Sequence, residues 1–216
     1  MPRFLPLFPL EIVAFPGENL NLHIFEPRYR ELINECVESK KTFGIPVYLG
    51  NQVSDFGTEM EVVSVEKTYP GGEMDIRTRG LQVVRVLEFL REVPEKLYSA
   101  GIVQEWENQM DSDTKVASAL FGYLRQLQSL LNIRKPELSQ PSEINAFDVA
   151  HYVGLDLKDK YEMLRYNKET DRQKFLVDHL KRIIPQLSEQ TEKAKSIQVR
   201  ASLNGQFRKE IPPSLD

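Results

Sequence analysis

Cysteine is almost missing from this 216-residue chain: Cys36 stands alone, so no intramolecular disulfide can form, and the usage suits a reducing compartment. Histidine is scarce too. His23, His151 and His179 form no i, i+4 pair and have no cysteine pair beside them, so no metal site is expected. Nor is there a basic surplus: the net charge is −4 with the signs interspersed, which argues against general affinity for nucleic acid or anionic membrane. No apolar run reaches the roughly 20 residues of a membrane span. The apolar stretch from Leu5 to Phe15 is broken by Pro6 and Pro9, and no small-residue cleavage site follows, so it does not read as a signal peptide. A cytoplasmic protein is expected. The phosphate-cradling pattern G-x-x-x-x-G-K-[ST] is absent as well, which leaves Gly71, Gly72 and Gly80 as turn glycines and no cofactor expected.

What is present starts at the N-terminus. Phe4 to Phe15 is an apolar strand pinned by prolines, and Pro6 and Pro9 cannot donate to a ladder, so it is not fully paired. Pro16-Gly17 is a turn dipeptide. Leu20, Leu22 and Ile24 then alternate with Asn21 and His23, the two-residue period of a half-buried strand. Pro27 suits the first position of a helix, and Tyr29, Leu32, Ile33, Cys36 and Val37 form the helical stripe that follows, to about Ser39.

Further strands are predicted over 42–49, with Pro46 marking an edge or bulge, and over 59–69 after a polar loop at 51–57. Two more, 73–78 and 81–90, are separated by a break at Gly80, and one covers 98–106. Short strands with glycine and proline turns around one helix indicate a small barrel or curled sheet. From Asp111 the period becomes helical: Val116, Ala119, Leu120, Tyr123, Leu124, Leu127, Leu130 and Leu131 form one stripe, with Arg125, Gln126 and Gln128 off it. A second helix is expected from Ser142 to Gly154, a third capped by Asp156, and a fourth opened by Thr170 or Asp171 with Pro185 inside it. The segment 196–216 carries Asn204-Gly205 and reads as a short hairpin or an extended arm.

The run LPLFPLEIVAFPG followed by LNLHIFEPRYRELI resembles the opening of the Lon protease N-terminal domain, the substrate-recognition module of that ATP-dependent protease. The block from Tyr69 to Val86, YPGGEMDIRTRGLQVVRV, is similar to a hairpin of the same family. The resemblance covers most of the chain. It implies an α+β fold: an N-terminal PUA-like β-barrel with one helix over 1–108, a C-terminal helical bundle subdomain over 109–195, and a tail over 196–216. It also implies a stand-alone substrate-binding domain, without the ATPase and serine–lysine protease domains of the complete enzymes. The expected function is that of a non-catalytic protein- or peptide-binding module, an adaptor in protein quality control. Its expected partners are unfolded or degron-bearing polypeptides and a Lon-type protease.

A barrel joined to a bundle creates a cleft at the junction. Tyr98 and Trp106 precede that junction and Tyr123 follows it, as candidate binding residues or as ordinary interdomain core. Glu26, Arg28 and Arg30 at the first helix start are the other candidates, with a plain helix cap and solvated arginines as the alternative. No catalytic residue is expected. A hydrolase would need Cys36 as its nucleophile, with His23 nearest in sequence, whereas Cys36 also reads as a small apolar residue on a buried helix face. Glu59/Glu61 and Glu92/Glu95 read as solvated strand positions. PUA-like folds in other families bind RNA, but Arg77, Arg79 and Arg85 are interleaved with Glu73, Asp75 and Glu88 and lack a stacking set.

Overall fold

Strand β1 (Arg3–Leu7) lies antiparallel to β6 (Ser99–Glu105) along its whole length, yet meets β3 (Phe43–Leu49) only at the parallel bridge Leu7–Gly44. The structure, a computed structural model, describes residues 1–137 and 139–207, with side chains as far as Lys193. Pro6 accounts for part of that asymmetry. The Phe8 amide donates to the Gly44 carbonyl at 2.8 Å, so by strand alternation residue 6 faces the same neighbour, and Pro6 has no N–H to offer.

The sheet is completed by β2 (Asn19–Ile24), β4 (Gln52–Thr68) and β5 (Met74–Leu90), in the order β2-β5-β4-β3-β1-β6. Strand β6 also pairs with the Val84–Leu90 half of β5, so the pairing runs in a cycle from β5 through β4, β3, β1 and β6 back to β5. Strand β2 attaches outside that cycle, along Met74–Arg79.

Two expectations are corrected here. Residues 52–57 are strand, not loop, because Gly50 (φ 59°) and Asn51 (φ 64°) make a two-residue left-handed turn that pairs Leu49 with Gln52. Gly80 is not a break: β5 runs through it with a register shift against β4, and the Phe15 carbonyl occupies the space a side chain there would need. The expected irregularity at Pro46 is present as a register shift between Pro46 and Tyr48.

Helix α1 (Pro27–Ser39) begins at the proline and buries Tyr29, Leu32, Ile33 and Cys36 among Ile24, Phe43, Ile45, Met60 and Ile76. Val37 is left 44% exposed. A fully buried Leu or Ile is worth about 1.5–3 kcal/mol, so this face alone fixes where the helix lies.

Helix α2 (Thr114–Leu131) is capped by Asp113, whose carboxylate accepts from the Lys115 and Val116 amides. Its buried stripe is Ala117, Leu120, Leu124, Leu127 and Gln128; Ala119 and Leu131 are exposed instead. Gln128 is inside because its amide donates to the Pro136 carbonyl at 2.6 Å. The expected second helix is broken into 3-10 turns around the four-residue α3 (Ala146–Val149), though Ile144, Phe147, Ala150 and Val153 are all buried as anticipated. Helix α4 (Leu157–Arg165) carries the expected Asp156 cap. Helix α5 (Glu169–Phe207) continues through Pro185 and across residues 196–207, where a hairpin or arm was expected; 208–216 lie outside the described residues. The helices share one core with the sheet, for Val13, Phe15, Val47, Phe56 and Val83 pack among Leu120, Phe147, Leu164, Leu176 and Leu180. The result is a mixed α+β fold.

Candidate functional site

The six residues singled out in the sequence do not converge. Glu26 stands at the N-cap of α1 without capping it, and its carboxylate accepts from Arg28 Nε at 2.8 Å. Arg28 is exposed, with its guanidinium 4.5 Å from the Tyr29 ring centroid. Arg30 donates to the Gly71 carbonyl at 2.8 Å and so fastens α1 to the β4–β5 turn. Tyr98 does not lie at the sheet–helix junction: it is 4% exposed in the core beneath α1 and donates its hydroxyl to Glu35. Trp106 does lie there, half-buried, with its indole N–H on the Arg165 carbonyl at 3.0 Å and its ring edge-on to Phe56. Tyr123 packs on the same junction core from α2.

Tyr98 instead lines, together with residues not singled out as binding candidates, a cavity of about 610 Å³, within the roughly 300–1,000 Å³ range of ligand sites. It opens between β1, the end of α1 and the 93–98 loop. Leu5, Pro6, Leu32, Val93 and Pro94 give it apolar walls, and Phe4 is 50% exposed at its side. Arg3, Lys40, Lys41 and Lys96 bring positive charge, against the Glu35 carboxylate. Of this group the sequence had singled out Tyr98 and Cys36 but not the basic residues, of which the adjacent Lys40-Lys41 just past a helix end, in an acidic chain, was the visible trace.

The charges there are partly committed. Hydrogen bonds from Lys96 and then Tyr98 hold the Glu35 carboxyl below its usual range, and the Glu35 bond raises Lys96 in turn. Burial, with Glu35 beside it, pushes the Tyr98 phenol up. Glu59, expected in solvent, is instead 4% exposed and accepts from Arg3, Thr42 and Gln82. Burial alone would raise its carboxyl, but those hydrogen bonds win and hold it low.

Cys36 lines the cavity but is 4% exposed, and burial, then Glu35, pushes its thiol up to about 11. Little thiolate exists at neutral pH, so it is not poised for attack. His23 is engaged elsewhere, with Nδ1 2.6 Å from Asp75. Two arginines of the RNA alternative are engaged too: Arg77 lies 3.4 Å from Glu66, and Arg85 lies over the Phe56 ring.

The family model described as the ATP-dependent protease La (LON) substrate-binding domain matches residues 4–182. The chain belongs to that family. A solved Lon N-terminal domain protein from Xanthomonas campestris superposes with a TM-score of 0.66 at 22% identity, covering 82% of this chain and 98% of that one. The N-terminal domain of the Mycobacterium avium complex Lon protease gives 0.63 at 16% identity, over 83% and 98%. At these identities the likeness concerns the Lon N-terminal fold. A LON peptidase N-terminal domain and RING finger protein of Schizosaccharomyces pombe is 31% identical over 105 residues, covering 40% of this chain and 21% of the relative. The chain therefore spans about a fifth of that relative's length. The match through residue 182 takes in both the Lon-type sheet and the helices that pack on it.

Proposed function

We propose that this protein is a non-catalytic module that holds unfolded or degron-bearing polypeptides, serving in the cytoplasm as a quality-control adaptor beside a Lon-type protease. The carrying observation is the match to a substrate-binding family over residues 4–182. The cyclic strand pairing supports reading 1–108 as a PUA-like barrel, with 109–195 as the helical part. The 610 Å³ cavity, apolar inside and cationic at its edge, is where polypeptide is held. Arg28, exposed at the start of α1, and Trp106, half-buried beside a second cavity of about 480 Å³, offer further contacts.

The test is direct. A permanently unfolded protein, reduced and carbamidomethylated, is labelled and titrated with this chain while anisotropy is followed. Saturable binding of the unfolded form and none of its native counterpart is expected. Absence of binding up to the solubility limit overturns the reading.

A further inference from the structure

The large cavity continues past the end of α1. A second depression of about 230 Å³ shares Cys36, Lys40, Lys41 and Thr42 with it, so one furrow crosses the carboxyl end of that helix. Apolar surface lies at both ends of the furrow. Phe4 is 50% exposed on one side, and Val37, Val63 and Val65 are 44%, 51% and 39% exposed on the other. Lys40 and Lys41 separate the two patches.

Two neighbouring carboxylates are spoken for: Glu35 by Lys96 and Tyr98, Glu59 by Arg3, Thr42 and Gln82. Glu61, a single carboxylate in the second depression, is the register partner of Arg79 on the adjoining strand and leaves the two lysines in excess there. Among the described residues no hydrogen bond or ion pair involves the exposed ammonium groups of Lys40 and Lys41. The carbonyl end of a helix opposes an anion with about half an elementary charge. Two full positive charges exceed it, and the amides of Lys40 and Lys41 already satisfy the Cys36 carbonyl.

Building on the polypeptide-binding function above, we propose that this furrow takes an extended polypeptide segment in which apolar side chains flank an acidic one, with the carboxylate received by Lys40 and Lys41. The carboxylate comes from a side chain inside the segment, since apolar patches on both sides require the bound chain to continue in both directions. An extended segment is needed because a compact ligand would fill one depression and leave the other open.

Two short labelled peptides test this, both acetylated and amidated, with leucine and phenylalanine on either side of a central Glu in one and Gln in the other. The chain should prefer the Glu peptide roughly fivefold at low salt, the scale of exposed ion pairs. The preference should vanish at about 1 M salt, where screening acts within some 3 Å. In the double variant Lys40→Asn and Lys41→Gln it should disappear while the Gln peptide binds as before; Asn tolerates the left-handed φ of 52° at residue 40. Equal affinity of the native chain for both peptides, or an unchanged preference in the variant, overturns the acidic specificity alone. Failure of both peptides and of the unfolded protein overturns the function beneath it.

Discussion

Gly80 sits so close to Phe15 that a β-carbon on residue 80 would come within 3.0 Å of the Phe15 carbonyl oxygen. The contact is reinforced on both sides: the Gly17 amide donates to the Gly80 carbonyl at 2.9 Å, and the Gly80 amide to the Glu18 carbonyl at 2.9 Å. The Pro16-Gly17 turn is thereby clamped onto β5. Gly80→Ala should lower the stability by about 3 kcal/mol, because the obstructing atom is backbone and cannot swing away. Gly122→Ala is the control. Nothing lies within 4 Å of its would-be β-carbon inside α2, and helix propensity should raise stability by about 0.5–1 kcal/mol. Urea unfolding of both variants checks the opposite signs.

Arg172 is 1% exposed, and its guanidinium reaches Glu169, the Tyr166 carbonyl and Asn108, with the Phe147 ring centroid 4.4 Å away. Glu169 in turn accepts from the Ala146 amide and from Gln173. Arg172→Met should cost about 3–5 kcal/mol by stranding the buried carboxylate. The double variant with Glu169→Gln should recover part of that loss, and a double-mutant cycle reads the coupling.

Glu59 makes acid stability a measurable quantity. Its folded carboxyl titrates below its ordinary value, so its contribution is complete above about pH 4.3 and is lost as pH falls through the folded-state value. Unfolding free energies should separate the native chain from Glu59→Gln by about 1–3 kcal/mol at pH 7. The gap should narrow as pH is lowered toward 3.

Cys36 gives a reactivity test. With its thiol pushed up to about 11 and nearly closed to solvent, it should resist iodoacetamide at pH 7.5 in the folded protein and react promptly in urea. Equal rates in the two conditions would refute the buried assignment.

How far these features could be read from residues alone depended on how local their causes are. Pro27, the four-residue spacing from Tyr29 to Ile33, and Asp156 act within a turn of their own positions, and α1 and the α4 cap appear where they were expected. Gly50-Asn51 carried a hairpin signal as well, but the polar residues after it masked the strand that Phe43–Leu49 imposes by pairing. Gly80 was legible as special, yet its reason lies sixty-five residues away in a carbonyl of Phe15. Gln128, Glu59 and Arg172 are polar residues made buriable by distant partners, which no periodicity reveals. The same holds for the cavity. Phe4, Lys40 and Val93 come together only because β1, α1 and the 93–98 loop are neighbours in space.

The cyclic pairing of the strands also bears on how the protein is made. Leu7 and Ser99 are register partners 92 residues apart, so β1 waits during synthesis until β6 has left the ribosome. Up to then Leu5 and Leu7, fully buried in the finished molecule, have no β6 to cover them. Contacts this distant in sequence form late and slowly. A nascent chain stalled just before Ser99 should therefore be bound by chaperones and open to proteases, and release of the next few residues should end both.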